Sequence, residues 1–327
     1  MKLLVLSEAD VHALLTLAQC IEVMEEALQD LARGDACQPL RSLLRPPGAR
    51  GFMGLMPAYR GGTRPAFALK EVCVFPGNPA IGLDTHLGAV LLHSAHTGEL
   101  LAVMNASAIT AIRTAAVTAV ATKLLARGDA STLAIIGTGV QARAHLSAVS
   151  LVRDFAEIRV AGRKAEHSRR FVEQLSASFP RLRASESVED AVRGADVIVT
   201  VTSAGVPVLN RDWIADGAHL NLVGSSVRTA READGATMAS GPIFVDRRES
   251  TVNESGDYLF AVEEGLIGPE NIRAEIGDVL IGRSEGRRTA EEITIFKSLG
   301  LAFEDLAAAE FLFRKSKAAG AGTWVEF

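Results

Sequence analysis

The chain has 327 residues, enough for about two domains, and its 48% apolar and 22% charged content suits a protein with a sizeable core. A net charge of −5 argues against nucleic acid or an anionic membrane as main partner, so any basic site must be local. Cys20, Cys37 and Cys73 are odd in number and widely spaced, which fits a reducing compartment better than a disulfide framework. Glu8, Asp10 and His12 interrupt the first apolar residues too early for a secretion signal. No uninterrupted apolar run reaches the roughly eighteen residues of a membrane span. The expectation is a cytoplasmic protein.

In chain order, residues 11–31 carry apolar side chains at helical spacing, with Gly34 as a stop signal, and predict one amphipathic helix. The period then changes. Residues 41–45, 51–56, 66–75, 87–94 and 100–105 predict strands, the last two joined by a hairpin turn at Ala95, His96, Thr97 and Gly98. This half is predicted to be α+β with a mainly antiparallel sheet. Residues 107–127 form an Ala- and Thr-rich helix bridging the halves. Strands at 132–136, 157–161, 181–184, 196–201, 219–223 and 243–246 then alternate with helices, which implies a doubly wound parallel sheet. An amphipathic helix at 301–317 is expected to return to the first domain and make it discontinuous. The predicted domains are 1–115 with 302–327, and 116–301.

The sharpest motif opens the second half. Gly137, Gly139 and Ala142 fit G-x-G-x-x-G/A between a strand and a helix that starts near Val140. The first glycine permits the tight turn, the second lets backbone approach a pyrophosphate, and the small third residue lets helix and strand pack closely. The helix N-terminus then faces the phosphates. The next strand ends in Gly162, Arg163 and Lys164, where a site for NAD usually has an acid on the ribose hydroxyls. Two cations in that place suit a 2′-phosphate, so NADPH is the expected cofactor, with NADH possible.

Lys70 lies in the apolar context Phe67-Ala68-Leu69-Lys70-Glu71-Val72, where burial is costly unless an anion neutralises it. A solvent-facing lysine, or one paired with a neighbouring Glu, is the competing reading. Arg113 sits among small and apolar residues and needs a fixed partner, either a ligand carboxylate or phosphate or a structural ion pair between helix and sheet. Arg41, at the head of a strand, reads alone as a surface residue. His93 and His96 flank a hairpin turn and read as solvated, while Asp196 reads as a cap or turn residue. No His/Cys/Asp spacing resembles a metal site.

Taken together, segments 38–41, 53–59, 70–78, 83–88, 110–116, 137–142, 221–226 and 295–300 occur in order and strongly resemble the ornithine cyclodeaminase/mu-crystallin family, over essentially the full length. The resemblance implies a Rossmann domain joined to an α+β domain that dimerises and binds substrate, with the active site between them. It implies that Arg41, Lys70 and Arg113 hold the substrate carboxylate; His86, in a family-like segment, is expected to line the pocket, and Met53, with Met56 and Phe52, reads as core or pocket wall. It also implies cofactor contacts from Thr138, Val140 and Gln141 within the glycine loop. Thr114, Thr202, Asn221, Val223 and Gly224 are expected at the cofactor too.

Three departures carry equal weight. The cyclodeaminases have Gly-Gly-Asp where this chain has Gly224-Ser225-Ser226, and a serine cannot take a proton near neutral pH. Their glutamate for the distal amine aligns with Gly54, and their ribose-binding aspartate falls in the segment Gly162-Arg163. The pattern instead resembles the family's reductases of cyclic ketimines, with Lys70 or a water oriented by Ser226 as proton source. Ser226 as a structural serine at a strand end is an equal alternative. The rival activities are reduction of an open-chain imine, as in an alanine dehydrogenase or iminosuccinate reductase, then ornithine cyclodeamination, then non-catalytic binding of NADPH and a small ligand. The expected partners are an imino acid and a second copy of the chain.

Overall fold

The computed structural model describes residues 2–327, which form two compact units: the chain up to Arg113 with Leu301–Phe327, and Thr114–Gly300. The first unit begins with β1 (Lys2–Leu6), α1 (Glu8–Leu14) and α2 (Leu17–Arg33). The single helix predicted for 11–31 is therefore two. Ser7 with Asp10, and Thr16 with Gln19, each form a reciprocal capping box, so a fresh helix starts at Leu17 instead of continuing through Leu15. Gly34 ends α2 at φ 86°, a left-handed cap that glycine adopts freely.

Then follow β2 (Ala36–Cys37), β3 (Ser42–Leu44), β4 (Phe52–Arg60), β5 (Ala66–Val74), β6 (His86–Ser94), β7 (Leu100–Asn105) and α3 (Ala106–Leu125). The unit boundary falls inside α3. By length and composition this helix could cross a membrane; in the protein it is mostly buried. Its threonines and alanines let neighbouring chain approach closely.

The second unit contains β8 (Thr132–Ile136), α4 (Val140–Val149), β9 (Glu157–Ala161), α5 (Ala165–Leu175), β10 (Leu182–Ala184), α6 (Val188–Val192), β11 (Val197–Thr200) and β12 (His219–Leu222). It continues with α7 (Gly235–Met238), β13 (Ile243–Val245), α8 (Arg248–Glu254), α9 (Gly256–Glu263), β14 (Ile272–Glu275), α10 (Ile276–Leu280) and β15 (Thr294–Lys297). The chain closes in the first unit with α11 (Ala302–Ala319) and β16 (Thr323–Glu326).

The sheet of the first unit runs β16-β1-β7-β6-β5-β4-β2, with β3 also on β4. Its pairs are antiparallel except β1 with β7. Alternation along β4 and β5 turns Met56, Ala58, Ala68 and Lys70 inward, whereas Pro57 and Phe67 face out. The inward face is covered by α11, which also packs on α2. Contrary to the amphipathic reading of 301–317, every residue from Ala302 to Glu310 is buried, Glu304, Asp305 and Glu310 included. Buried acids need buried cations, and the sheet and α3 supply them.

The second unit is an all-parallel sheet in the order β10-β9-β8-β11-β12-β15-β13-β14, a Rossmann arrangement with helices on both faces. In β8, Ala134 and Ile136 join one core while Leu133 and Ile135 join the other, as a doubly covered strand requires. Strands β14 and β15 were not foreseen. β15 inserts between β12 and β13 after a charged stretch and a helix of only five residues, so no strand–helix rhythm announces it.

Candidate active site

Lys70 and Arg113 are both buried, and α11 holds them. The Lys70 Nζ donates to Asp305 Oδ2 at 2.9 Å and to Thr110 Oγ1 at 3.2 Å. Arg113 donates from Nε to Asp305 Oδ1 at 3.2 Å and from Nη1 to Glu304 Oε2 at 2.7 Å. Gln38 anchors the start of α11 by accepting from the Phe303 N–H at 2.8 Å. The solvent-facing reading of Lys70 is therefore excluded, and both cations have internal carboxylate partners. Glu304 and Asp305 were missed because on an apparently amphipathic helix they read as solvated first-turn acids.

Burial pushes the Lys70 ammonium down to about 8; Asp305 opposes that shift, while Arg113 and Arg41 reinforce it. Arg41 is half-buried and near enough to act on Lys70. His86, two residues before Gly88 on β6, lies on the sheet face of Lys70 through the register Lys70↔Val90, Val72↔Gly88 and Val74↔His86. Burial lowers the imidazole pKa, Lys70 lowers it further, and Asp84 opposes both. The unit thus groups Arg41, Lys70, His86 and Arg113. Met53 does not join them: it pairs with Cys73, on the opposite face of the sheet, and must be withdrawn from the pocket wall. Gly54 and Met56 take the inward positions, and no carboxylate stands at Gly54.

In the second unit the glycine loop follows β8. Gly137 has φ 131°, and a Cβ there would stand 2.7 Å from the Val201 carbonyl oxygen. Gly139 is the N-cap of α4, with no side chain capping it and open space where a Cβ would be. The first N–H groups of α4 are thus free of side-chain caps, as an anion site requires. Ala142 is buried, and Thr138 lies against Gly162 at the end of β9. The Gln141 Oε1 and Thr114 Oγ1 atoms are buried without a hydrogen-bond partner, polar groups that a ligand could satisfy. Val140, Arg163 and Lys164 are exposed. The loop lies where β8 and β11 adjoin and the strand order reverses, the crevice in which such sheets bind dinucleotides. These residues fit a nicotinamide dinucleotide.

One expected cofactor contact needs correction. Asn221 is fully buried; its Nδ2 donates to Thr122 Oγ1 at 3.0 Å, and its Oδ1 lies 3.2 Å from His219 Nε2. It holds α3 to the sheet and cannot reach a ligand. The Gly224 N–H donates to Glu232 Oε2 at 2.6 Å, and the residue itself is half-buried. Val223 is buried, while Thr202 and Ser226 remain half-buried on the loops after β11 and β12. Asp196 is not the local cap or turn residue expected: it accepts from the sequence-distant Ser131 and Thr132 N–H groups and so ties the start of β8 to that of β11.

Comparison with known proteins agrees with this architecture. The family model of the ornithine cyclodeaminase/mu-crystallin family matches residues 1–320. Ketimine reductase mu-crystallin of Mus musculus is 38% identical over 296 residues, 90% of each chain. The solved Δ1-pyrroline-2-carboxylate reductase of Thermococcus litoralis, in complex with NADH and L-proline, superposes with a TM-score of 0.94 at 38% identity, covering 98% of this chain and 99% of that one. An archaeal alanine dehydrogenase dimer with bound NAD gives 0.94 at 33% identity, covering all of both chains. With the whole length matched and the glycine loop and buried cations in place, the chain belongs to the ornithine cyclodeaminase/mu-crystallin family.

Proposed function

We propose that this protein reduces a cyclic ketimine carboxylate, Δ1-pyrroline-2-carboxylate or Δ1-piperideine-2-carboxylate, to L-proline or L-pipecolate with NADPH. The observation that carries the proposal is the cation group Arg41, Lys70 and Arg113 standing beside Gly54, with no acid there to receive a distal amine. The internal carboxylates balance that group. Lys70 and Arg113 are offset by Glu304 and Asp305, and with Arg41 they supply the ammonium and guanidinium donors that a substrate carboxylate matches.

The reduced nicotinamide, when bound, supplies hydride to C2 of the imine. This chain's own part is to hold the carboxylate, orient the ring and deliver a proton to nitrogen. With its pKa near 8, Lys70 is protonated at neutral pH and can donate the proton to the imine nitrogen. The exposed pair Arg163 and Lys164 after β9 supports the preference for a 2′-phosphate over a free ribose.

Reduction of an open-chain imine is the second reading, favoured by the likeness to the alanine dehydrogenase. NADPH oxidation assayed with the two cyclic ketimines, and in parallel with pyruvate plus ammonia, decides between them. Turnover only when ammonia is present refutes the cyclic assignment. Ornithine incubated with enzyme and NAD should release no ammonia; stoichiometric ammonia and proline would show that Ser226 and Gly54 were overread. Association into a homodimer is part of the proposal. Phe67, Leu87 and Leu44 expose apolar surface on the outer side of the first unit's sheet, and a monomer in sedimentation equilibrium overturns this element. A cytoplasmic location fits the three free cysteines.

A further inference from the structure

Beneath the ends of β11 and β12 lies a fully buried charged group that the proposed chemistry leaves unused: Glu232, Asp257 and Lys297. Glu232 uses both carboxylate oxygens. Oε1 accepts from the Thr202 N–H at 2.6 Å, and Oε2 accepts from the Gly224 N–H at 2.6 Å and from Thr200 Oγ1 at 2.8 Å. Thr200 ends β11 with Thr202 on the loop after it, and Gly224 follows β12. One side chain therefore ties two neighbouring strand ends together. Gly224 has to be glycine for this reason, since a Cβ would collide with the Thr202 carbonyl oxygen and the Glu232 carboxylate.

The tie is anchored from behind. Asp257, at the start of α9, accepts from the Glu232 and Ala233 N–H groups at 2.7 and 3.0 Å. Its other oxygen pairs with Lys297 Nζ at 2.9 Å, and Lys297 also donates to the Ser225 carbonyl oxygen at 2.6 Å. Each member is buried and hydrogen-bonded, an arrangement whose desolvation is costly and whose bonds hold the two loops together. The loops it fixes, Thr202 and Gly224 to Ser226, stand at the carboxyl ends of the strands beside the glycine loop.

We infer that Glu232, Asp257 and Lys297 are positioning residues: they clasp the β11 and β12 loops and so set where the nicotinamide half of the cofactor is held, leaving the adenosine half to Gly139 and Arg163. The inference rests on the reading of this unit as an NADPH site. Glu232→Gln isolates the clasp, because an amide keeps the size but has one acceptor oxygen, so one of the two N–H groups must let go.

The test has two readouts that need no imine. Amide hydrogen exchange on the protein without cofactor should quicken at Thr202 and Gly224 and stay unchanged at Gly139. Dissociation constants should then be measured for NADPH and for 2′-phospho-ADP-ribose, which lacks nicotinamide. For the variant we expect NADPH to weaken roughly tenfold, the equivalent of one lost charge-assisted hydrogen bond, and the fragment to be unchanged. Thr200→Val, which removes only the hydroxyl donor, should give a smaller loss with the same selectivity and serves if the Gln variant does not fold. Equal weakening of NADPH and fragment, or no weakening of either, overturns the inference. Failure of wild-type protein to reduce any ketimine overturns the proposed reaction and leaves the affinity ratio to judge the clasp.

Discussion

Asp305 is the hinge of the buried cation cluster, and replacing it by Asn tests the cluster's electrostatics with little change in shape. Asp305 accepts from Lys70 and from Arg113, and its side chain is essentially inaccessible. Asn keeps one acceptor oxygen but removes the charge, so Lys70 loses its paired carboxylate while Arg113 keeps Glu304. Breaking a buried ion pair costs about 3–5 kcal/mol, and the retained oxygen puts this case near about 3. At about 2–4 °C per kcal/mol for a domain of this size, the melting temperature should fall by roughly 6–12 °C. Lys70 can escape by losing its proton, whereas Arg113 cannot. Asp305 opposes the depression of the Lys70 pKa to about 8, so without it the folded-state pKa falls further. The unfolded chain then holds more protons than the folded one over a wider pH range, and stability rises with pH there. The deficit should therefore shrink between pH 7 and pH 9. A carboxylate ligand such as L-proline should stabilise the variant more than the parent, since it restores the missing negative charge. Thermal melts with and without ligand at both pH values check this. A melting temperature within about 2 °C of the parent's, with equal ligand shifts, would refute the electrostatic account.

Two further outcomes concern the cofactor and the proton. Arg163→Ala should erase most of an NADPH preference over NADH of roughly tenfold or more, one charge-assisted phosphate contact, and leave NADH kinetics nearly unchanged; an equal preference in the unmodified protein removes the basis for it. In the reductive direction, kcat/KM should hold below pH 8 and fall above it as Lys70, with its pKa near 8, deprotonates. Lys70→Arg should move that limb upward while lowering the rate, and an unmoved limb assigns it to another group.

The glycine loop was legible because its chemistry is local: turn, close approach and helix start lie within Gly137 to Ala142, and β8 and β9 begin and end as the pattern demanded. Lys70 and Arg113 stood out because burial of a cation conflicts with its neighbours in sequence. Their partners did not, since Glu304 and Asp305 meet them only through contacts some two hundred residues apart. Asn221 was misassigned for the converse reason. A strand-end position suggests a ligand contact, but the pleat turns its side chain into the Thr122 and His219 contacts. Met53 failed by one residue of register, which reverses the face of the sheet. Arg113→Met, though close in side-chain volume, also removes a partner of buried Glu304 and is better read beside Glu304→Gln.

The central claim is hydride transfer to the imine carbon of a cyclic ketimine carboxylate, and isotope transfer tests it most directly. NADPH carrying deuterium at both C4 positions is incubated with the enzyme and Δ1-pyrroline-2-carboxylate, and the product is read by mass spectrometry and NMR. The account predicts L-proline with one deuterium at Cα. Proline without deuterium, or deuterated product formed only from pyruvate and ammonia, would contradict it.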